Sequence, residues 1–160
     1  MFGFLIGYAK KAKISFLVLL ACSFAIFITG FFPSYAELYF FTLWAFSLFV
    51  SVGVGYEIVS NKGTLTDSLI GGGILGFVNG LLNYFLGVLK AVIIVSAART
   101  ELLSTEYSDL YSELFYALSA ALGFSFTVFC GLVTPFLGFL FGAFLGFLGG
   151  IIKFYFFENE

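Results

Sequence analysis

The chain has 160 residues, 61% apolar and 10% charged, with a formal net charge of −2. Seven basic and nine acidic side chains are too few to cover a water-soluble fold whose mean hydropathy is +1.11, since soluble domains carry about 25% charged residues. The composition predicts one integral membrane domain over residues 1–160. It gives no basis for a nucleic-acid partner.

Taken in order, residues 1–13 open with Phe2, Phe4, Leu5, Ile6 and Tyr8 and close with Lys10, Lys11 and Lys13. They read as an interfacial lead-in, or as the first turn of the next helix. Residues 14–32 are an uncharged apolar run long enough to cross a bilayer. Ser34-Tyr35-Ala36 after that run resembles a signal-peptide cleavage site. The run is longer than a signal core, however, so an uncleaved anchor is expected. Pro33 marks the turn.

Residues 38–59 form the second expected span, with Tyr39, Trp44 and Tyr56 as interfacial aromatics. Glu57 reads as a carboxylate reaching headgroup water. Asn61 to Gly63 is turn chemistry, and Thr66 or Asp67 is expected to cap the helix that follows.

The third span has its core at 68–89 and extends to 98, and the rest of the reading is organised around it. Lys90 is its only charge. On a helical wheel at ~100° per residue, Ser68, Gly72, Gly76, Asn79, Asn83, Gly87, Lys90 and Ala97 fall within about a third of the circumference. Ile70, Ile74, Phe77, Leu81, Phe85 and Leu89 cover the other side. A small, polar face on an apolar helix looks at protein or at water.

Residues 99–113 are the main polar stretch, with Arg99 against Glu101, Glu106, Asp109 and Glu113. An amphipathic acidic surface helix is expected over 103–113, and an acidic mouth for cations is the functional alternative. Spans follow at 114–132 and 136–157, separated by an expected sharp turn at Thr134-Pro135. The fold class is therefore an all-α polytopic bundle of about five transmembrane helices. The N-terminal lysines place the N-terminus in the cytoplasm, with a prokaryotic plasma membrane as the expected location. Dividing 68–98 into two short spans would give six.

Two constellations carry the functional reading. Gly72, Gly76 and Gly80 repeat by four, as do Gly138, Gly142, Gly146 and Gly150, and glycine at that spacing lets helix backbones meet, a glycine zipper. Asn79 and Asn83 lie one turn apart. They read as interhelical glue or, with Lys90, as a polar path; alternatively, Lys90 snorkels to the interface. No catalytic, cofactor or metal pattern is present in the sequence: histidine is absent, and Cys22 and Cys130 are isolated in apolar runs. The expectation is a non-enzymatic membrane protein, either a self-assembling pore or a subunit of a larger membrane complex. Its partners would be the lipid bilayer and copies of itself or other membrane subunits. The alternative is a small carrier, which would hold its cavity within one protomer.

Overall fold

A computed structural model describes residues 2–29, 36–104 and 110–157. Among these the chain is all-helical, with five helices: α1 Phe2–Lys11, α2 Lys13–Thr29, α3 Ala36–Ser60, α4 Leu65–Ser104 and α5 Leu110–Phe156. Three described stretches are long and apolar enough to cross a membrane: Phe41–Ser60, Leu65–Ser96 and Gly131–Phe156. A fourth arises if α1 and α2, which meet at 101°, are taken as one broken span. The middle of the expected 103–113 surface helix lies outside the described residues; its ends belong to α4 and α5.

The elbow between α1 and α2 is held by polar contacts with α3 and α4. Ala12 at the bend is fully buried and offers no side-chain cap to α2. The Glu57 carboxylate of α3 takes that role, accepting the Ile14 N–H at 3.2 Å and the Ser15 N–H at 2.9 Å. A carboxylate fits there because free N–H groups and the helix dipole both favour negative charge. Glu57 thus caps a neighbouring helix, where the sequence alone placed it in headgroup water. Asn61 Nδ2 donates to the Lys11 carbonyl at 2.7 Å, and Lys11 Nζ lies 3.5 Å from Asp67 Oδ2.

The start of α4 corrects another expectation. The cap is Thr64, not Thr66 or Asp67. Thr64 Oγ1 accepts the Asp67 N–H at 3.1 Å, and the Asp67 carboxylate accepts the Thr64 N–H at 2.9 Å. This is a reciprocal capping box, with the acid in the third helical position. The Tyr8 hydroxyl adds a hydrogen bond to Asp67 Oδ1 at 3.2 Å, so α1 is tied to the cap itself. One turn earlier, α3 ends with Lys62 at φ 64° and the Gly63 N–H bonded to the Ile58 carbonyl at 2.9 Å. That bond is the six-to-one closure of a Schellman end, with lysine where glycine is usual.

Beneath the elbow, Tyr8, Ala12, Val54, Ile58 and Leu75 form the buried apolar cluster. Its tightness depends on Gly71, where a Cβ would stand 2.6 Å from the Tyr8 ring and 2.7 Å from Ile58 Cδ1.

α4 and α5 share the most extensive interface and run antiparallel. Along it Gly150 meets Ser68, Gly146 meets Gly72, Gly142 meets Gly76, and Gly138 approaches Gly76 and Gly80. A Cβ on Gly142 would lie 2.9 Å from the Gly76 Cα, and one on Gly146 would lie 2.9 Å from the Gly72 Cα. The obstacles are backbone atoms, so the approach depends on the absence of side chains. α3 reaches α5 in the same way, with Gly149 against Val52 and Tyr56, and Gly55 against Gly146.

The expected turn at Thr134-Pro135 is absent. Pro135 lies inside α5, which continues for 47 residues, so the runs expected as spans four and five share one helix. Proline removes one backbone donor and crowds the preceding turn, but apolar helices tolerate it when a neighbour packs against the site. Here Pro135 is buried and its backbone lies against Gly80 of α4. α4 likewise continues unbroken through 68–98, so the two-span division of that run is not seen.

Candidate functional site: a cavity between α2, α3, α4 and α5

The described helices line an open-sided cavity of about 1110 Å³. α4 supplies its polar side. Asn79, Asn83 and Lys90, the residues singled out as a polar path, all line it, together with Gly76, Gly80 and Gly87. α2 contributes Ser23 and Thr29, α3 contributes Trp44, Ser47 and Ser51, and α5 contributes Thr134. The remaining wall is apolar, with Leu19, Phe27, Leu48 and Phe141 among its members.

The polar groups divide into satisfied and open. Ser23 is almost fully buried, and its hydroxyl lies 2.9 Å from Asn79 Oδ1, joining α2 to α4. The Ser47 hydroxyl donates to the Trp44 carbonyl at 2.7 Å, Ser51 donates to Ser47 at 2.8 Å, and Thr29 donates to Ile26 at 3.0 Å. These three hydroxyls close onto their own helices, as serine and threonine do in apolar surroundings. Asn79 therefore acts as interhelical glue while bordering the cavity. Asn83 and Lys90 have no hydrogen-bond or ion-pair partner among the described residues.

The cavity has two ends. At ~1.5 Å per residue, Lys90 lies ~37 Å along α4 from Leu65, far from the Glu57–Asp67 elbow. Phe41, Trp44 and Phe141 are more than half exposed and line the same cavity, so it opens to the surface of the bundle along its side. Ser51, Gly142 and Leu145 line the interior end. Between Asn83 and Lys90, Gly87 leaves a gap: a Cβ there would meet nothing within 4 Å.

Among the described residues the lining carries one cation and no carboxylate. Those residues include no acid–base pair of the kind proton transfer uses. Among the described residues no group of three or more His, Cys, Asp or Glu side chains could hold a metal ion. What the lining can do is bind, with amide and ammonium donors on one side and apolar surface on the others.

Sequence reasoning found the α4 contribution but missed Ser23, Trp44 and Thr134. Ser23 carried a usable signal, being a small polar residue in the middle of an otherwise apolar run. Nothing in the sequence pairs it with Asn79. No protein-family model matches the chain, and no curated protein or solved structure matches it.

Proposed function

We propose that the chain is a non-enzymatic integral membrane protein whose α2–α5 bundle takes a small solute into its own interior, as a carrier or permease does. One observation carries this reading: Asn79, Asn83 and Lys90 border a single cavity within one chain. A pore would turn that stripe toward a symmetry axis, and a complex subunit would bury it against another protein. Crossing by the long apolar helices is supported by their length, since ~20 apolar residues span the ~30 Å hydrocarbon layer. The glycine contacts of α4 and α5 serve as a glycine zipper in that setting. Lipid tails supply no hydrophobic drive between helices, so close packing must hold them together. With α2 crossing, the 101° elbow lays α1 near the membrane plane, its lysines at the interface.

The test is uptake of candidate solutes into proteoliposomes. Asn83→Leu should abolish flux while thermal stability stays at the wild-type value. Wild-type flux from that variant would remove the path.

A second reading has its own support. α4 and α5 have 40 and 47 residues, and Phe85, Val92, Ile93, Ile94, Phe129 and Leu132 are exposed along them. This apolar surface suits packing against a second copy or another membrane subunit. Native mass in lipid discs distinguishes a lone chain from an oligomer or a mixed complex.

A further inference from the structure

We infer that the occupant of the cavity is an amphiphile with an anionic head group and an acyl chain, its head between Asn83 and Lys90 and its chain against the apolar wall. The inference rests on the binding role proposed above and names the ligand class.

Three observations support it. First, charge: among the described residues Lys90 is the only ionisable member of the lining and has no carboxylate within ion-pair distance, so a bound anion would supply a counter-charge. An ammonium in apolar surroundings gains most from such a partner, through a charge-assisted hydrogen bond. Second, space: Asn83 and Lys90 lie two helical turns apart, ~10 Å, on one face of α4. The position between them is Gly87, over which a Cβ would meet nothing within 4 Å. A head group thus has room, an amide donor on one side and a cation on the other. Third, shape and polarity: from that point the lining continues along apolar Phe27, Leu48 and Phe141, while the Ser47 and Ser51 hydroxyls are turned onto their own helix. A volume of about 1110 Å³ exceeds the needs of a bare inorganic anion and accommodates an acyl chain. The lining is open to the surface at Phe41, Trp44 and Phe141, so an acyl chain can enter from the side while its head group stays at Lys90.

The chain's single tryptophan lines this cavity, which supplies the assay. The full-length protein in detergent is titrated with 9,10-dibromostearate, its methyl ester, and a dibrominated phosphatidylglycerol, and Trp44 quenching is recorded. Saturable quenching by dibromostearate, displaced by unbrominated stearate and at least tenfold tighter than by the ester, is expected. Lys90→Gln should weaken it about tenfold, the scale of one charged hydrogen bond, while Lys153→Gln, which removes a charge elsewhere, leaves it unchanged. Gly87→Leu should block it without loss of fold, because its side chain enters open space. Tighter quenching by the phosphatidylglycerol identifies a membrane lipid as the source of the head group, and tighter quenching by the fatty acid identifies a free acid; either supports the inference. Equal affinity for acid and ester, with no effect of Lys90→Gln, overturns the anionic assignment while leaving the cavity a binding site. Absence of saturable quenching by all three, with Gly87→Leu indistinguishable from wild type, overturns the binding role as well.

Discussion

Gly76→Ala is the sharpest probe of the α4–α5 contact. Its Cβ would stand 2.9 Å from the Gly142 Cα and nearer still to the Gly138 carbonyl oxygen. Carbon atoms rest ~3.5–4.0 Å apart. Both obstacles are backbone, so no side chain can swing aside and the helices must separate by roughly 1 Å. A gap of that size forfeits a quarter to a half of each pairwise attraction of ~0.1–0.2 kcal/mol. Over a few tens of atom pairs this comes to about 2 kcal/mol, inside the ~1–3 kcal/mol range for overpacked interiors. Gly87→Ala is the matched control, because nothing lies within 4 Å of its Cβ. There only helix propensity acts, with a gain of up to ~1 kcal/mol. Wild type and both variants would be titrated from dodecyl maltoside into sodium dodecyl sulfate, with unfolding followed by Trp44 fluorescence. Gly76→Ala should unfold at a lower detergent fraction and Gly87→Ala at the same or a higher one. If Gly76→Ala proves as stable as Gly87→Ala, the two helices do not meet through this seam.

The ends of α3 and α4 make opposed predictions. Lys62 holds φ 64°, so Lys62→Gly should stabilise by about 1 kcal/mol. Gly63→Ala should destabilise, its Cβ falling 2.5 Å from the Ile58 carbonyl oxygen; the same denaturant titration reads both, and a reversal of sign in either would disprove the Schellman geometry. Glu57→Ala leaves the start of α2 uncapped and should cost ~1 kcal/mol, with faster hydrogen exchange at the Ile14 and Ser15 amides; unchanged exchange at both would show that the carboxylate lies elsewhere. Ser23→Ala removes the hydroxyl beside Asn79 and should cost ~0.6 kcal/mol, up to ~1.7, on the scale of buried polar links between apolar helices. A double-mutant cycle with Asn79→Leu that returned no coupling would dissolve that link.

What the sequence made legible was mostly what one helix decides by itself. The spacing of Gly72, Gly76 and Gly80, and of Asn79, Asn83 and Lys90, follows from a 3.6-residue turn, and the structure sets the first group against α5 and the second along the cavity. The hydroxyls of Ser47 and Ser51 obey the same local logic, since their acceptors are carbonyls one turn back. Features that need a second element were not readable. Glu57 caps α2 only because α1 and α2 meet at an elbow against α3, a contact across 42 residues of sequence. Thr64 lost out to Thr66 and Asp67 because every cap candidate in a short polar stretch looks alike until reciprocity is checked; an acid three positions after a threonine was the missed clue. Pro135 misled most. The local rule says that proline ends a helix, and the rule yields where the neighbouring helix presents a glycine, as α4 does with Gly80. The expected number of crossings depended on that turn.

The α4 contribution to the cavity also explains why residues so close in sequence differ in surroundings. Asn83 borders the interior, whereas Phe85, two residues on and about 200° around the helix, is 64% exposed on the outer face.

That contrast supplies the most direct test of the account. With Cys22 and Cys130 replaced by alanine, Asn83→Cys and Phe85→Cys would each be reconstituted in vesicles and treated with a membrane-impermeant maleimide. Asn83→Cys should be labelled through the cavity, and Phe85→Cys should be protected by acyl chains. Labelling of Phe85→Cys at an equal or greater rate, or complete protection of Asn83→Cys, would contradict the account.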